Sequence, residues 1–254
     1  MLKKERQREI LKVIEDTGKV EVDTLSKHLG VSEMTIRRDL GELNQRGLAE
    51  RVHGGALLVR NSRDVEPPVI ERTNENPEIK LRIGRQVAGM IQNGEKIFLG
   101  SGSTTAAVAE AMLNHRTITV ITNALNIAFT MISAPEINIA VTGGFLRRSE
   151  LSLIGHFAEN ALEGLQVDKV IIGMRGIDPV KGLTSDNMDE LMTDQAILNI
   201  SKNIIVVADH TKLGHVAAIR TAPITAATTI VTNRGGPKDI LQAIRQMGVR
   251  IIEV

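Results

Sequence analysis

The chain has 254 residues, of which 42% are hydrophobic and 24% charged, with a formal net charge of +1 and no cysteine. This composition is ordinary for a soluble globular protein, and it excludes disulfides, a thiol nucleophile and cysteine-ligated zinc. Residues 1–60 carry a net charge of +2 and the remainder −1, so bulk charge alone makes only a weak case for nucleic-acid binding, and a DNA reader would need its basic residues focused on one face.

The first ten residues, MLKKERQREI, are charged where an export signal needs an apolar core. No run approaches the roughly 18 apolar residues of a membrane span, so the expected location is the cytoplasm with no membrane partner. There is no Trp or Tyr and only four Phe, which argues against aromatic stacking on single strands and favours a duplex as the nucleic-acid partner. Residues 2–17 read as a helix with Ile10, Leu11, Val13 and Ile14 facing inward, ended by Gly18. Asp23 is placed to cap a short helix over 24–29, and Gly30 ends it because glycine takes a positive φ without steric cost. Ser32 caps the next helix, which runs to about Arg46. Ile36, Leu40 and Leu43 recur at i, i+4, i+7 and face inward. At 100° per residue, Met34 and Arg38 then point almost directly away and Arg37 lies on the flank. A helix with outward basic residues in its first two turns suits the major groove, where Arg bonds guanine bidentately or clamps phosphate. Arg37 and Arg38 are therefore the candidate base or phosphate contacts, and Thr35 and Ser32 candidate phosphate contacts. Residues 48–51 and 56–59 read as short strands around His53-Gly54-Gly55, a wing in which His53 is a phosphate or turn contact. The first domain is expected over 1–58.

Residues 59–77 are expected to be a linker, marked by Pro67-Pro68 and Asn76-Pro77. From 78 to 254 helical and apolar-strand signals alternate. Strands are expected at 96–99, 117–121, 137–141, 169–173, 204–208, 228–232 and 250–254. Helices are expected at 79–92, 104–113, 125–132, 157–164, 187–201 and 237–247. Short apolar runs separated by helices predict a doubly wound, mostly parallel α/β domain whose ligands sit at the carboxyl ends of its strands.

The loop Gly100-Ser101-Gly102-Ser103-Thr104-Thr105 follows an expected strand and opens an expected helix. Its glycines allow close backbone approach, and its hydroxyls and helix-start N–H groups suit a phosphate, although it is neither a Walker A loop nor GxGxxG. Thr122-Asn123-Ala124, Thr142-Gly143-Gly144 and Asp209-His210-Thr211-Lys212 end strands in the same manner. In a parallel sheet all four loops share one edge. Asn123 and Asp209 could equally serve as caps of helices or turns. The six histidines form no HxxxH or HExxH pattern, so neither metal nor another cofactor is expected. Arg147-Arg148 reads as a solvated or intersubunit pair, with phosphate contact an alternative.

The stretch VSEMTIRRDLGELNQRGLAERVHGGA resembles the DNA-binding segment of the DeoR family of bacterial transcriptional repressors. GSGSTT, TNALNIA, TGGFLRRSELSLIG, GIDPVKGLTSDNMDE and ADHTKLG resemble that family's sensor domain, which is similar in fold to ribose-5-phosphate isomerase. Glu71-Arg72, followed by a helix, resembles the family's interdomain connection. The resemblance implies a winged helix-turn-helix domain joined to an α/β sensor domain, operator DNA as partner, a phosphorylated sugar as effector, and a homodimer or homotetramer. It implies that Ser101, Gly102, Ser103, Thr104 and Thr105 hold the effector's phosphate, and that Asn123, Gly143, Gly144, Asp178, Glu190 and Lys212 line the sugar end. The chain departs from the family pattern at Arg175, where an acid is usual and where a more anionic ligand would be favoured. It departs again at Leu191, in place of a small residue, and at Asn233, in place of Asp. Isomerase chemistry, with Glu190 or Asp178 as the base, is the alternative reading of the second domain. A third is a ligand-free domain kept for oligomerisation.

Overall fold

The computed structural model describes residues 3–17, 19–45, 48–52, 54–57 and 67–254. The chain divides into two compact units, Met1–Glu66 and Pro67–Val254.

In the first unit, helix α1 (Lys3–Thr17) leads into strand β1 (Lys19–Glu21) and helix α2 (Val22–Leu29). Helix α3 (Glu33–Gln45) and strands β2 (Glu50–Val52) and β3 (Gly55–Leu57) follow. Ile10, Ile14, Leu25, Ile36, Leu40 and Leu43 form the core, so the inward stripe expected for α3 is the one that is buried. Gly30 closes α2 in the left-handed region, at φ 64° and ψ 33°. The wing strands β2 and β3 pair antiparallel; β2 starts two residues after its expected beginning and β3 one residue before, and residues 58–59 of the expected second strand lie outside the described residues. Strand β1, which periodicity missed because it has only three residues, pairs with β3 on its other side. That pairing leaves no room for a side chain at Gly55, where a Cβ would lie 2.0 Å from the Val20 carbonyl oxygen.

The added strand also corrects one cap. Because β1 ends at Glu21 and the Val22 N–H donates to Gly54 O at 2.9 Å, α2 starts two residues before its expected beginning. Asp23 therefore lies inside the first turn rather than at the cap. Its carboxylate accepts from Lys27 Nζ at 3.0 Å and from Thr24 Oγ1 at 3.0 Å, and these bonds hold it below the usual carboxylate range.

In the second unit, part of the segment expected as linker is a short helix, α4 (Val69–Thr73), with Val69 and Arg72 buried. Its five residues are too few to show helical periodicity. Next come α5 (Pro77–Ala88), β4 (Lys96–Leu99), α6 (Ser103–Ala111), β5 (Thr119–Thr122), α7 (Leu125–Met131) and β6 (Asn138–Val141). A hairpin of β7 (Phe145–Arg147) and β8 (Ser152–Ile154) precedes α8 (His156–Leu162) and β9 (Lys169–Gly173). Strands β10 (Gly176–Asp178) and β11 (Gly182–Ser185) precede α9 (Met188–Asn199), β12 (Ile204–Val207) and β13 (Ile219–Ala222). The chain closes with β14 (Thr229–Thr232), α10 (Lys238–Gln246) and β15 (Arg250–Glu253).

All seven strands expected from apolar runs form one parallel sheet, in the order β15-β14-β12-β9-β4-β5-β6. Alternate side chains along each strand go to opposite faces. Ile97 and Leu99 pack with Ile83, Val87, Val108, Met112 and Ile127 from α5, α6 and α7. Phe98 packs on the other face with Leu162, Ile197, Leu241 and Ile244 from α8, α9 and α10. Winding thus reverses at the junction of β4 and β9, which opens a crevice at the carboxyl ends of those two strands. The strands missed in the sequence are the antiparallel ones: the β7–β8 hairpin and the small sheet β10-β11-β13.

Candidate functional site

Of the DNA-binding candidates, Ser32 precedes α3 and Thr35, Arg37 and Arg38 lie in its first two turns. Ser32 caps the helix, with its Oγ accepting from the Thr35 N–H at 3.3 Å and standing 2.9 Å from Thr35 Oγ1. Arg37 and Arg38 are exposed, as is Met34, while Thr35 is half-buried. Arg37 Nη2 bonds Glu33 Oε2 at 3.0 Å across one turn. An exposed i,i+4 pair of this kind is worth only about 0.3–0.5 kcal/mol, so the guanidinium can leave it for a phosphate or a base at little cost. The next residue, Asp39, is buried and accepts from Arg6 Nε at 2.6 Å, which ties α3 to α1 and fixes α3 in rotation. The sequence gives no local sign of this bond, because its partner lies 33 residues away. His53 lies outside the described residues.

In the second unit, Gly100 to Thr105 join β4 to α6 at the β4–β9 crevice. Gly102 holds φ 130° and ψ 159° at the cap position of α6, and the Thr105 hydroxyl returns to the Gly102 carbonyl at 2.9 Å. Ser103, Thr104 and Thr105 are buried, and Ser101 is half-buried. The first N–H groups of an α-helix have no intrahelical acceptor, so this turn offers donors to an anion. Across the crevice, a Cβ on Gly173 at the end of β9 would lie 3.7 Å from Ser101 O. After β12, Asp209 Oδ1 accepts from the Thr211 N–H at 2.9 Å, the capping role left open for it, and shapes the turn that carries Lys212.

Lys80 completes this corner. It is buried on α5, and its Nζ donates to the carbonyl of Arg72. Burial pushes its ammonium below the ordinary lysine value; Glu75 and Asp209 oppose that shift, while Arg72 and Lys212 add to it. Lys80 and Lys212 therefore share one electrostatic neighbourhood at the carboxyl edge of the sheet. The sequence held a signal for Lys80: it stands at i, i+3, i+7 with Ile83 and Val87, on the inward face of its helix.

A second corner holds the carboxylates. The Asn187 side chain caps α9 by accepting from the N–H groups of Asp189 and Glu190. Buried Glu190 is bound on one oxygen by the Ser152 hydroxyl at 2.7 Å and on the other by Arg147. Arg147 is thus a partner of Glu190 inside the fold, which corrects its reading as a solvated residue. Arg72 forms a buried ion pair with both oxygens of Glu150, and the Val69 N–H donates to Ser149 O at 2.7 Å. Asn123 does not cap α7. Its Nδ2 reaches Leu153 O at 3.3 Å, and its buried Oδ1 has no hydrogen-bond partner among the described residues. Gly144 is held at φ 125° where a Cβ would meet Ile154 O at 2.8 Å, and Gly143, at φ 74°, has open space around it.

Two expected effector residues carry structural bonds. Asp178 Oδ1 accepts from the N–H groups of Val180 and Lys181 at 2.8 and 2.7 Å and closes the β10–β11 turn. Arg175 Nε bonds Asp186 Oδ2 at 2.9 Å, so much of the positive charge put in place of the usual acid is answered within the protein.

Asp194 lies one turn beyond Glu190. Although the residue is only half-buried, burial of its carboxyl, then the Glu190 charge, push it well above the usual carboxylate range; Arg147 opposes them and Glu150 adds to them. An acid whose folded value exceeds its unfolded value gives stability that is present at low pH and lost as pH rises through the folded value. Asp194→Asn, which cannot ionise, is expected to gain melting temperature over the wild type progressively from acid to neutral pH. Parallel pH profiles for the two proteins would show that Asp194 bears no such cost.

The family pattern "DeoR C terminal sensor domain" matches residues 75–234, and "DeoR-like helix-turn-helix domain" matches residues 6–62. Among curated relatives, the glycerol-3-phosphate regulon repressor of Escherichia coli (strain K12) is 33% identical over 251 residues, spanning 99% of both chains. The HTH-type transcriptional regulator GlpR of Haloferax volcanii is 32% identical over 253 residues, spanning 100% of this chain and 98% of its own. Among solved structures, ribose 5-phosphate isomerase A from Methanocaldococcus jannaschii is 16% identical with a TM-score of 0.41, covering 54% of this chain and 55% of its own.

Proposed function

This chain belongs to the DeoR family of transcriptional regulators, and on that premise we propose that it is a repressor of carbohydrate-metabolism genes whose hold on operator DNA is set by a phosphorylated sugar bound at the β4–β9 crevice. The observation that carries the effector half of this reading is that the start of α6 after β4 and the turn bearing Lys212 after β12 lie at the carboxyl ends of strands in one parallel sheet, with buried Lys80 near enough to feel the Lys212 charge. A phosphate there receives N–H and hydroxyl donors from Ser101, Gly102, Ser103, Thr104 and Thr105 and countercharge from the two lysines. The sugar end then extends toward Asn123, Gly143, Gly144 and the Arg147–Glu190 pair. A buried acceptor left without a donor costs about 1–3 kcal/mol, and a sugar hydroxyl donating to Asn123 Oδ1 recovers that cost on binding.

Two copies of α3 set on successive major-groove faces read a two-fold operator. The effector controls them only to the extent that it binds the DNA-incompetent arrangement more tightly. The isomerase alternative is weaker, because both oxygens of Glu190 are committed to Ser152 and Arg147, and because the curated relatives described above are named as regulators.

The test is a thermal-shift screen of the full chain with pentose, hexose and triose phosphates. Glycerol 3-phosphate belongs in the panel because a relative is named for its regulon. A true effector at about 100 times its dissociation constant adds about 2.7 kcal/mol to the stability of its unit. Lys212→Ala is expected to lose most of that gain while melting near the wild-type temperature without ligand. If no phosphorylated compound in the panel shifts the transition, the effector assignment fails and the ligand-free reading takes its place.

A further inference from the structure

One side of the second unit is apolar where a monomer has no use for it. Helix α7 has the sequence LNIAFTM, with no charged residue. Ile127 and Met131 fill its inner side, against the sheet. Its outer side carries a second apolar stripe, Leu125 and Phe129, continued by Ile132 at the cap just past its end, at i, i+4, i+7; Phe129 is 78% exposed and Ile132 71%. A helix apolar on both sides is one buried on both sides.

The neighbouring elements continue this stripe. Leu125 N–H donates to Leu151 O at 2.9 Å, and Leu153 N–H donates to Asn123 O at 2.7 Å, which docks the β7–β8 hairpin at the start of α7. On that hairpin Phe145 is 61% exposed and Leu146 also faces outward. Phe145 packs on Phe157 of α8, itself 57% exposed, with ring centroids 5.8 Å apart. Beside α7 runs β6, an edge of the seven-stranded sheet, with sequence NIAV and Val141 exposed. It has neither charge nor proline, and its register with β5 is unbroken. Sheet edges are ordinarily protected by such devices. The opposite edge, β15, does have them, in Arg250 and Glu253.

Three of the four phenylalanines in the chain are thus exposed around the β6 edge of the sheet, and Phe145 and Phe157 pack on each other. Taking a phenylalanine as roughly 200 Å², the seven exposed side chains from Leu125 to Phe157 present on the order of 700 Å². The largest apolar patch on a typical monomer is about 300–600 Å², and a standard interface buries about 800 Å² per partner. The α7 and β6 parts of this face carry no charge, and Arg148 stands at its margin on the hairpin turn, so the surface offers a foreign protein little electrostatic address but is complementary to itself across a two-fold axis.

We propose that the face formed by α7, the β6 edge, the β7–β8 hairpin and Phe157 is the surface through which two copies of this chain associate. The proposal does not depend on which ligand the crevice takes, because the association needs none.

Sedimentation velocity of the full chain at micromolar concentration, without ligand or DNA, tests it. The wild type is expected to be a dimer or tetramer, and its mass is expected to hold in high salt because the contact is apolar. Phe129→Glu and Phe145→Glu are each expected to remove one association step, tetramer to dimer or dimer to monomer, weakening it by about 100-fold. Val180→Glu, at an exposed apolar residue in the β10–β11 turn, is expected to leave the mass unchanged. Melting curves establish that each variant is folded, and if a glutamate lowers the transition, Phe129→Ser and Ile132→Ser carry the test. A monomeric wild type, unchanged mass in the Phe129 and Phe145 variants, or equal loss in Val180→Glu would overturn the proposal.

Discussion

Alanine at both Arg37 and Arg38 is expected to lower operator affinity by about 100-fold or more, since each good bidentate base contact is worth about 1–3 kcal/mol. The side chains are exposed on a helix whose opposite face is fixed by Ile36, Leu40 and the buried Asp39–Arg6 bond, so their loss leaves the first unit folded. The two single variants separate the roles. An arginine that reads a base changes the preference at one position of the site, whereas one that clamps phosphate weakens all sequences alike and lowers the salt slope by about one. The ligand-induced thermal shift of the second unit is expected to be the same in all three proteins. A titration in which the double variant binds operator as tightly as the wild type would remove α3 as the reading helix.

Glu150→Ala is expected to produce the largest loss of stability, about 3–5 kcal/mol, by taking the carboxylate away from a buried arginine. Arg72 and Glu150 are both nearly enclosed, and their pair joins α4, where the second unit begins, to the turn between β7 and β8. The Arg72 carbonyl also receives Lys80, so disturbance of the pair is expected to reach the corner proposed for a phosphate and to weaken binding of the proposed effector as well. The thermodynamic cycle is informative here. Replacing both partners by alanine removes two desolvated charges together, so the double variant is expected to be less destabilised than the sum of the singles. Additive losses in chemical denaturation, or a Glu150→Ala transition within error of the wild type, would show that the pair carries no coupling.

The two positions also show what could be read in advance. Arg37 and Arg38 were legible because helical period is local: once Ile36, Leu40 and Leu43 are set inward, 100° per residue places the arginines outward. The strands of the parallel sheet were legible for a related reason, since a strand buried on both faces must be a continuous apolar run, as in KIFL, KVIIG and IIVV. The GSGSTT loop followed from its place between such a run and a helix.

Sequence by itself therefore determined the two-part organisation, the helix over 33–45 with its arginines outward, the seven parallel strands and the loops that must share their carboxyl edge. Only the tertiary structure decided that Arg147 belongs to Glu190, that Arg72 belongs to Glu150, that buried Lys80 donates to the Arg72 carbonyl, and that Asp178 closes a turn. The three-residue strand β1 and the antiparallel strands likewise emerged only on folding. The physical reason is range. Backbone periodicity and capping are set by neighbours within a turn or two, whereas a buried charge accepts whichever partner the fold brings within hydrogen-bond reach, and for Arg72 and Glu150 that partner is 78 residues away.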